Sequence, residues 1–282
     1  GDRLMQSFNY KVAAITGAGS GIGRALAYAL ARRGCDLALS DINADGMAET
    51  AAQAKKIGIN VSEQVVDVSD RLAMRSWAEK AVAEHGKINM IFNNAGVAHC
   101  GTVAETEYAD YEWLMGTNFW GVVYGTKEFL PYLQASGEGH VINISSVFGL
   151  FAQPTQSVYN SSKFAVRGFT ESLRQELDLS NCSVSASCVH PGGIKTNIAR
   201  AARFTDSGGR MLGRNNDLTR QAFNDNMLRT SPDKAAEVIL RGVERNRRRI
   251  VIGMDAHLMD WVQRLMPALY QRLIVTLTRW SR

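Results

Sequence analysis

Proline occurs only five times in 282 residues and the glycines are scattered, so no Pro/Gly-rich linker divides the chain. Low-complexity tracts and repeats at solenoid or propeller spacing are both missing. Cysteine is sparse. Cys35, Cys100, Cys182 and Cys188 form no C-x-x-C pair and have no spaced histidine partner, so free thiols in a reducing compartment are expected in place of a disulfide framework. No cluster of His, Cys and acidic residues stands at metal-ligand spacing, and no metal is expected. No apolar stretch of signal-peptide type stands near the N-terminus, which points to a cytoplasmic protein. Strong charge of one sign is absent from the body of the chain. The formal net charge is +5, but residues 245–282 hold eight Arg against Asp255 and Asp260, leaving 24 Lys+Arg and 25 Asp+Glu in the rest. The basic excess therefore belongs to the tail, no nucleic-acid module accompanies it, and no nucleic-acid partner is expected.

What is present is an ordinary globular balance, 45% hydrophobic and 21% charged, in a length that suits one large α/β domain. Candidate strands at Lys11–Thr16, Cys35–Ser40, Val61–Val66, Ile88–Phe92, His140–Ile144, Val184–Val189 and Arg249–Ile252, most of them short apolar runs, alternate with helical periodicity. Helices are predicted over Ile22–Arg33 and residues 43–57, 70–85, 106–135 (one long helix ending around Pro131), 157–180 and 232–245. Strict alternation predicts βαβ crossovers, and near-continuous apolar strands predict a sheet covered on both faces. The fold class is α/β: a doubly wound, Rossmann-type parallel sheet of about seven strands with helices on both faces. In such folds the ligand lies beyond the C-terminal strand ends, so the informative residues should follow the strands.

They do. Thr16-Gly17-Ala18-Gly19-Ser20-Gly21-Ile22-Gly23 joins the first strand to the first helix. A glycine turn there lets backbone N–H groups approach a pyrophosphate at a helix N-terminus. Its spacing is G-x-x-x-G-x-G, not the common G-x-G-x-x-G. Asp41 follows the second strand and can accept both adenosine ribose hydroxyls while repelling the extra phosphate of NADP, which favours NAD; capping of the next helix through Asn43 is its structural alternative. Asp67, after the third strand, is either an adenine ligand or a turn residue. Asn93-Asn94-Ala95-Gly96 follows the fourth strand with small residues that allow close approach and amides that can lock a loop.

Tyr159 and Lys163 stand four residues apart on one helix face. A phenol is a weak base at neutral pH; a nearby ammonium and the positive ring of an oxidised nicotinamide would stabilise its phenolate and let it exchange a proton with an alcohol. Ser146, at the end of the fifth strand, can orient the substrate oxygen. Ser145 is the alternative, and strand alternation allows only one of the two to serve.

Taken together, the Thr16–Gly23 turn, Asp67, Asn93–Gly96, Asn118 in Asn118-Phe119-Trp120-Gly121, Ser146, Tyr159 with Lys163, and Pro191-Gly192 with Thr196 resemble the short-chain dehydrogenase/reductase family, in family order over about residues 8–253. The resemblance implies a catalytic set of Asn118, Ser146, Tyr159 and Lys163, in which Asn118 holds a water against Lys163. It implies an NAD site built from Gly17, Ser20, Gly21, Ile22 and Gly23, from Asp41, Asp67 and Val68, and from Asn93, Ala95 and Gly96. Tyr159 and Lys163 complete it, Lys163 on the nicotinamide ribose, with Pro191, Gly192, Ile194 and Thr196 near the carboxamide. The second glycine of Gly192-Gly193 departs slightly from the family pattern.

The expected organisation is a catalytic domain over 1–254, with a substrate lid at 193–230, and an amphipathic helical extension over 255–282. Phe204, Met211, Leu212, Phe223 and Met227 either line a pocket for a lipophilic substrate or seal the lid. Val147, Phe148, Leu150 and Phe151 also lean toward a hydrophobic substrate. In the tail, Leu258, Trp261, Val262, Leu265, Leu269, Leu273, Leu277 and Trp280 recur at helical spacing, and Pro267 should interrupt the helix. Packing on the domain or at a subunit interface is the first reading of the tail; peripheral contact with an anionic membrane is the second. The expected function is an NAD-dependent oxidoreductase interconverting a secondary alcohol and a ketone, as a homodimer or homotetramer. An NADPH-dependent 3-oxoacyl-thioester or steroid reductase is the enzymatic alternative. A non-catalytic dinucleotide-binding or membrane-surface protein is the other; the retained Ser146, Tyr159 and Lys163 argue against it.

Overall fold

The computed structural model describes residues 5, 7–194, 202–213 and 230–280. Seven parallel strands form the central sheet: β1 (Val12–Thr16), β2 (Asp36–Asp41), β3 (Val61–Val65), β4 (Met90–Asn93), β6 (Gly139–Ile144), β7 (Val184–Pro191) and β9 (Arg249–Ile252). Their order is β3-β2-β1-β4-β6-β7-β9, so the winding reverses between β1 and β4. A separate pair, β5 (His99–Cys100) and β8 (Arg203–Phe204), is also parallel. The helices are α1 (Gly21–Ala31), α2 (Ala44–Lys55), α3 (Arg71–His85), α4 (Tyr108–Met115), α5 (Gly121–Ala135), α6 (Ser157–Leu179), α7 (Asp206–Met211), α8 (Pro232–Glu244), α9 (Met254–Leu265) and α10 (Leu269–Trp280).

Alternation along the strands divides the core. In β1, Ala13 and Ile15 face a layer made by Leu26 and Leu30 of α1, Met47 of α2 and Ile239 of α8, whereas Val12 and Ala14 face Met74 and Trp77 of α3 and Phe129 of α5. Trp77 and Phe129 meet edge to face at 4.8 Å, which joins α3 to α5. The central strands are buried on both faces, as their apolar runs require. Strand β3 departs from that pattern: its Ser62, Glu63 and Gln64 are only half-buried because it is the sheet's edge.

The long helix expected over 106–135 is corrected to three segments. A π-helical turn, Gly116–Trp120, lies between α4 and α5, and α5 continues past Pro131 to Ala135. One extra residue per turn shifts the face that each helix presents, and π turns concentrate at functional sites. Pro267 separates α9 from α10, as its missing N–H and fixed φ dictate.

Two histidines are sealed in the sheet. His140 on β6 bonds through Nε2 to Ser187 Oγ at 2.8 Å, and His190 on β7 bonds through Nδ1 to the Ser146 carbonyl at 2.9 Å. Burial, helped by the Arg174 charge, pulls His140 down to about 3; burial pulls His190 down to about 4 against the opposing pull of that carbonyl. The unfolded chain protonates these groups near 6.5, so below that pH it binds protons that the folded chain excludes, and stability falls as pH falls. The expected loss is on the order of 1 kcal/mol per pH unit for each histidine between 6.5 and its folded value. Urea unfolding of the wild type and of a His140→Gln/His190→Gln chain at pH 7, 6 and 5 checks it; parallel pH slopes would remove the histidines as the cause.

Candidate active site

The ends of β1 and β4 diverge at the winding reversal, and a polar clasp holds them. Thr16 Oγ1 donates to the Phe92 carbonyl at 3.3 Å and accepts from the N–H groups of Asn94 (2.9 Å) and Ala95 (3.0 Å). Asn94 Nδ2 donates back to the carbonyls of Thr16 at 3.0 Å and Gly17 at 3.3 Å. Gly17 turns at φ 63°, and a Cβ on Gly23 would fall on the Gly17 carbonyl, so this turn requires both glycines. Ser20 precedes α1 without a side-chain cap bond, which leaves the first helical N–H groups facing a cavity.

That cavity has a volume of about 500 Å³ and runs along the strand ends. One end carries Gly17, Ser20, Gly21, Ile22, Asp41, Asp67 and Val68; the middle carries Ala95 and Gly96; the other end carries Ser146, Tyr159, Lys163, Pro191, Gly192 and Ile194. Gly23, Asn93 and Asn118 stand behind this lining, and Thr196 lies outside the described residues. Asp41 is already busy: Oδ2 accepts from Gly19 N–H and Oδ1 from Asn43 N–H, both at 2.8 Å. Its carboxylate thus pins the glycine turn to the β2 exit while facing the cavity, and Asn43, not Asp41, caps α2. Asp67 accepts from Ser69 N–H and Oγ and is a turn residue and a cavity residue at once.

The sequence shows no basic residue beside Asp41, yet the fold brings Arg24 to the glycine turn. Its guanidinium donates to the carbonyls of Gly19 and Gly46, to Thr50 and to Glu49, and Arg24 is not among the residues that line the cavity.

At the other end, Ser146 and Ser145 part as strand alternation requires. Ser145 Oγ donates to the Lys163 carbonyl at 2.8 Å, while Ser146 Oγ accepts from Phe148 N–H at 3.1 Å and lines the cavity with Tyr159. Lys163 is buried, donates to the Ile144 carbonyl at 3.1 Å, and lies 5.6 Å from the centre of the Tyr159 ring. Asn118 sits in the π turn and clamps Val97, accepting from its N–H at 2.8 Å and donating to its carbonyl at 2.9 Å. A Cβ on Gly96 would lie 3.4 Å from Asn118 Oδ1 and 3.6 Å from Lys163 Nζ, so the three share one corner.

Burial dominates the electrostatics of this pair. It pushes the Tyr159 phenol above its ordinary value, and the Ser146 hydroxyl only partly opposes this. Burial also pulls Lys163 down to about 8. The ammonium alone therefore does not lower the phenol, because removing water from both groups disfavours phenolate and ammonium alike.

Several site residues escaped the sequence reading. Asp255, at the start of α9, accepts from Gly193 N–H at 2.8 Å, and a Cβ on Gly192 would strike its carboxylate. Arg203 of β8 stacks 3.8 Å from the Trp113 ring on the cavity wall and donates to Asp110 at 2.9 Å, and His99 Nε2 lies 3.6 Å from the same carboxylate. Only the helix-start position of Asp255 carried any sequence signal; the β5–β8 pairing joins residues about a hundred positions apart. Of the expected substrate-facing residues, Val147 and Phe148 line the cavity, whereas Leu150, Phe151, Phe204, Met211 and Leu212 do not; Phe223 and Met227 fall outside the described residues.

The family model described as short chain dehydrogenase matches residues 11–206. The chain is a short-chain dehydrogenase/reductase. It is 47% identical over 270 residues to a Mycobacterium tuberculosis protein named as an oxidoreductase, SadH, with 96% of each chain covered. It is 32% identical over 258 residues to estradiol 17-beta-dehydrogenase 11 of Rattus norvegicus, covering 91% of this chain and 80% of that one. Among solved structures, a short-chain dehydrogenase/reductase from Burkholderia phymatum in complex with NAD superposes with a TM-score of 0.87 at 29% identity, covering 95% of this chain and 97% of the other. This dehydrogenase/reductase is therefore an oxidoreductase on a seven-stranded parallel sheet flanked by helices.

Its free tyrosine is testable. An ultraviolet pH titration of the cofactor-free protein, read as the difference between wild type and Tyr159→Phe, is expected to show the Tyr159 phenolate forming above pH 10, since burial raises an acid whose charged form is the deprotonated one. A midpoint below 10 would mean that Lys163 outweighs desolvation.

Proposed function

We propose that this protein is an NAD-dependent dehydrogenase that interconverts a secondary alcohol and a ketone, with Tyr159 as general acid/base. One observation carries the reading: a single cavity joins the uncapped start of α1 and Asp41 to Ser146, Tyr159 and Lys163. The residues fit a dinucleotide. Free N–H groups at a helix start suit a pyrophosphate. Asp41 has lone pairs left for ribose hydroxyls, and an added 2′-phosphate would meet this carboxylate with Arg24 already held by four acceptors. The NAD complex of the Burkholderia phymatum relative supports the same assignment.

Nicotinamide, when bound, accepts or supplies the hydride. The chain's own residues do the rest. Ser146 hydrogen-bonds the substrate oxygen and orients it. Tyr159 Oη takes the hydroxyl proton in oxidation and returns it in reduction. Lys163, pulled to about 8, stands near enough to neutrality to pass a proton onward, and the family pattern would put a water, held by Asn118, at the corner it shares with Lys163. Val97, Ala98, Trp113, Val147 and Phe148 give the substrate end an apolar wall, which favours a lipophilic alcohol. Four free thiols, three of them buried, suit a reducing cytoplasm, and a homo-oligomer accords with the family.

Titration with NADH and NADPH, read by reduced-nicotinamide fluorescence, is expected to show a clear NADH preference that Asp41→Ser abolishes. Tyr159→Phe is expected to lower kcat by ~10²–10⁴ with NADH affinity nearly unchanged. Equal or tighter NADPH binding by the wild type would overturn the cofactor assignment and move reduction of lipophilic ketones to the front.

A further inference from the structure

The two tail helices are apolar on two sides. Their inner row, Ala256, Met259 and Val262 of α9 with Tyr270 and Ile274 of α10, packs on Val147, Phe148 and Phe151. Their outer row is exposed: Met254, Leu258, Trp261 and Leu265 on α9, and Leu269, Leu273, Leu277 and Trp280 on α10, each between 45% and 86% accessible. Three- and four-residue spacing puts each outer set in one stripe along its helix. Scattered exposed leucines are normal on any protein; eight large side chains in two stripes on consecutive helices are a surface.

A histidine and three arginines border the stripes, on the same rotational side of each helix. At about 100° per residue, His257 and Arg264 flank the α9 stripe, and Arg272 and Arg279 flank the α10 stripe; the inner row lies on the other border. After Asp260 the sequence holds four Arg and no Asp or Glu. The two acids of α9 are engaged, Asp255 by Gly193 N–H and Asp260 by Arg249 and Arg264. Among the described residues, Arg272 and Arg279 form no ion pair.

We propose that this outer face docks on an anionic lipid surface, the leucines and tryptophans entering the headgroup boundary and the Arg272/Arg279 row meeting lipid phosphates. Apolar stripes with tryptophan, bordered by arginine, are the composition that lies in such an interface. Among the described residues no helix is long and apolar enough to cross a membrane, so the docking is peripheral. A second copy is the less suitable occupant. Two-fold pairing lays the same patch against itself, and the patch offers Arg272 and Arg279 no acidic partner. Lipid phosphates supply the missing negative charge. The docking does not depend on the chemistry assigned to the cavity, but it has a consequence for it. Tyr270 packs on Phe151, Phe151 on Phe148, and Phe148 on Tyr159, each ring edge to face, so the docked helices form the outer layer of the substrate wall.

Co-sedimentation of the full chain with vesicles tests this, using phosphatidylcholine alone and phosphatidylcholine mixed two to one with phosphatidylglycerol. Binding is expected to be about tenfold or more tighter to the anionic vesicles and to weaken with salt. Leu265→Glu/Leu273→Glu should abolish binding while circular dichroism and NADH affinity stay unchanged, since both positions are exposed. Arg272→Gln/Arg279→Gln should lower affinity for the anionic vesicles only. The proposal fails if the wild type binds neither vesicle, or if binding survives the leucine substitutions. It also fails if sedimentation equilibrium shows an oligomer that those substitutions dissociate without any lipid binding; that outcome would assign the face to a second copy.

Discussion

A doubly wound sheet must let two neighbouring strands send their chains in opposite directions while both stay hydrogen-bonded. The Thr16–Asn94 clasp satisfies that requirement here. One threonine hydroxyl serves three backbone groups and one asparagine amide serves two carbonyls, so the β1 and β4 exits are fixed relative to each other although their loops diverge. Everything in the cavity depends on it. The glycine turn can approach a ligand because Asn94 holds the Gly17 carbonyl, and Gly96 reaches the Lys163 corner because Ala95 is tied to Thr16. Behind the clasp, Asn93 donates to Asn143 at 2.8 Å, and Asn143 to Thr170 at 3.0 Å, which carries the order from β4 through β6 to α6, the helix of Tyr159 and Lys163. Buried amides are costly when unpaired and rigid when paired, so this row fixes register as well as position.

The second constraint is desolvation. Tyr159 and Lys163 sit where water is scarce, and both are pushed toward their neutral forms. An acid raised and a base lowered are poor partners for charge separation by themselves. A positive group entering the same cavity reverses the balance for the phenol, since opposite charges attract strongly where solvent screening is weak. Burial thus favours the protonated Tyr159 phenol, and a cation bound beside it would favour the phenolate.

Much of this was legible in the sequence because the signals are local. The alternation of strand-like and helical segments gave all seven main strands within a residue or two, and the glycine turn, Asp41 and the Tyr159/Lys163 spacing are short-range patterns that the fold brings to one cavity. The errors arose where the deciding force acts at a distance. Nothing in residues 106–135 announces a π turn; Asn118 needs it in order to reach the Val97 backbone, which is a tertiary demand. The β5–β8 pair, the Arg203–Trp113 stack and the Asp255–Gly193 bond each join segments far apart in sequence. Polar β3 broke the apolar-strand pattern for a related reason: which strand lies at the edge is a property of the whole sheet.

The tail shows how one periodic pattern can carry two messages. A helix that packs on its domain needs one apolar stripe, and α9 and α10 spend that stripe on Phe148 and Phe151. A second stripe, offset around the same helices, adds nothing to the packing and exposes tryptophan and leucine to water. Pro267 makes both stripes geometrically useful. By ending α9 it lets α10 start on a new axis, so that Tyr270 can reach Phe151 and the Ala152 N–H while Leu269 and Leu273 stay outward. Were the tail one straight helix, its inner row would leave the domain after a few turns and the outer row would have no fixed orientation. The break lets both inner rows stay against Phe148 and Phe151.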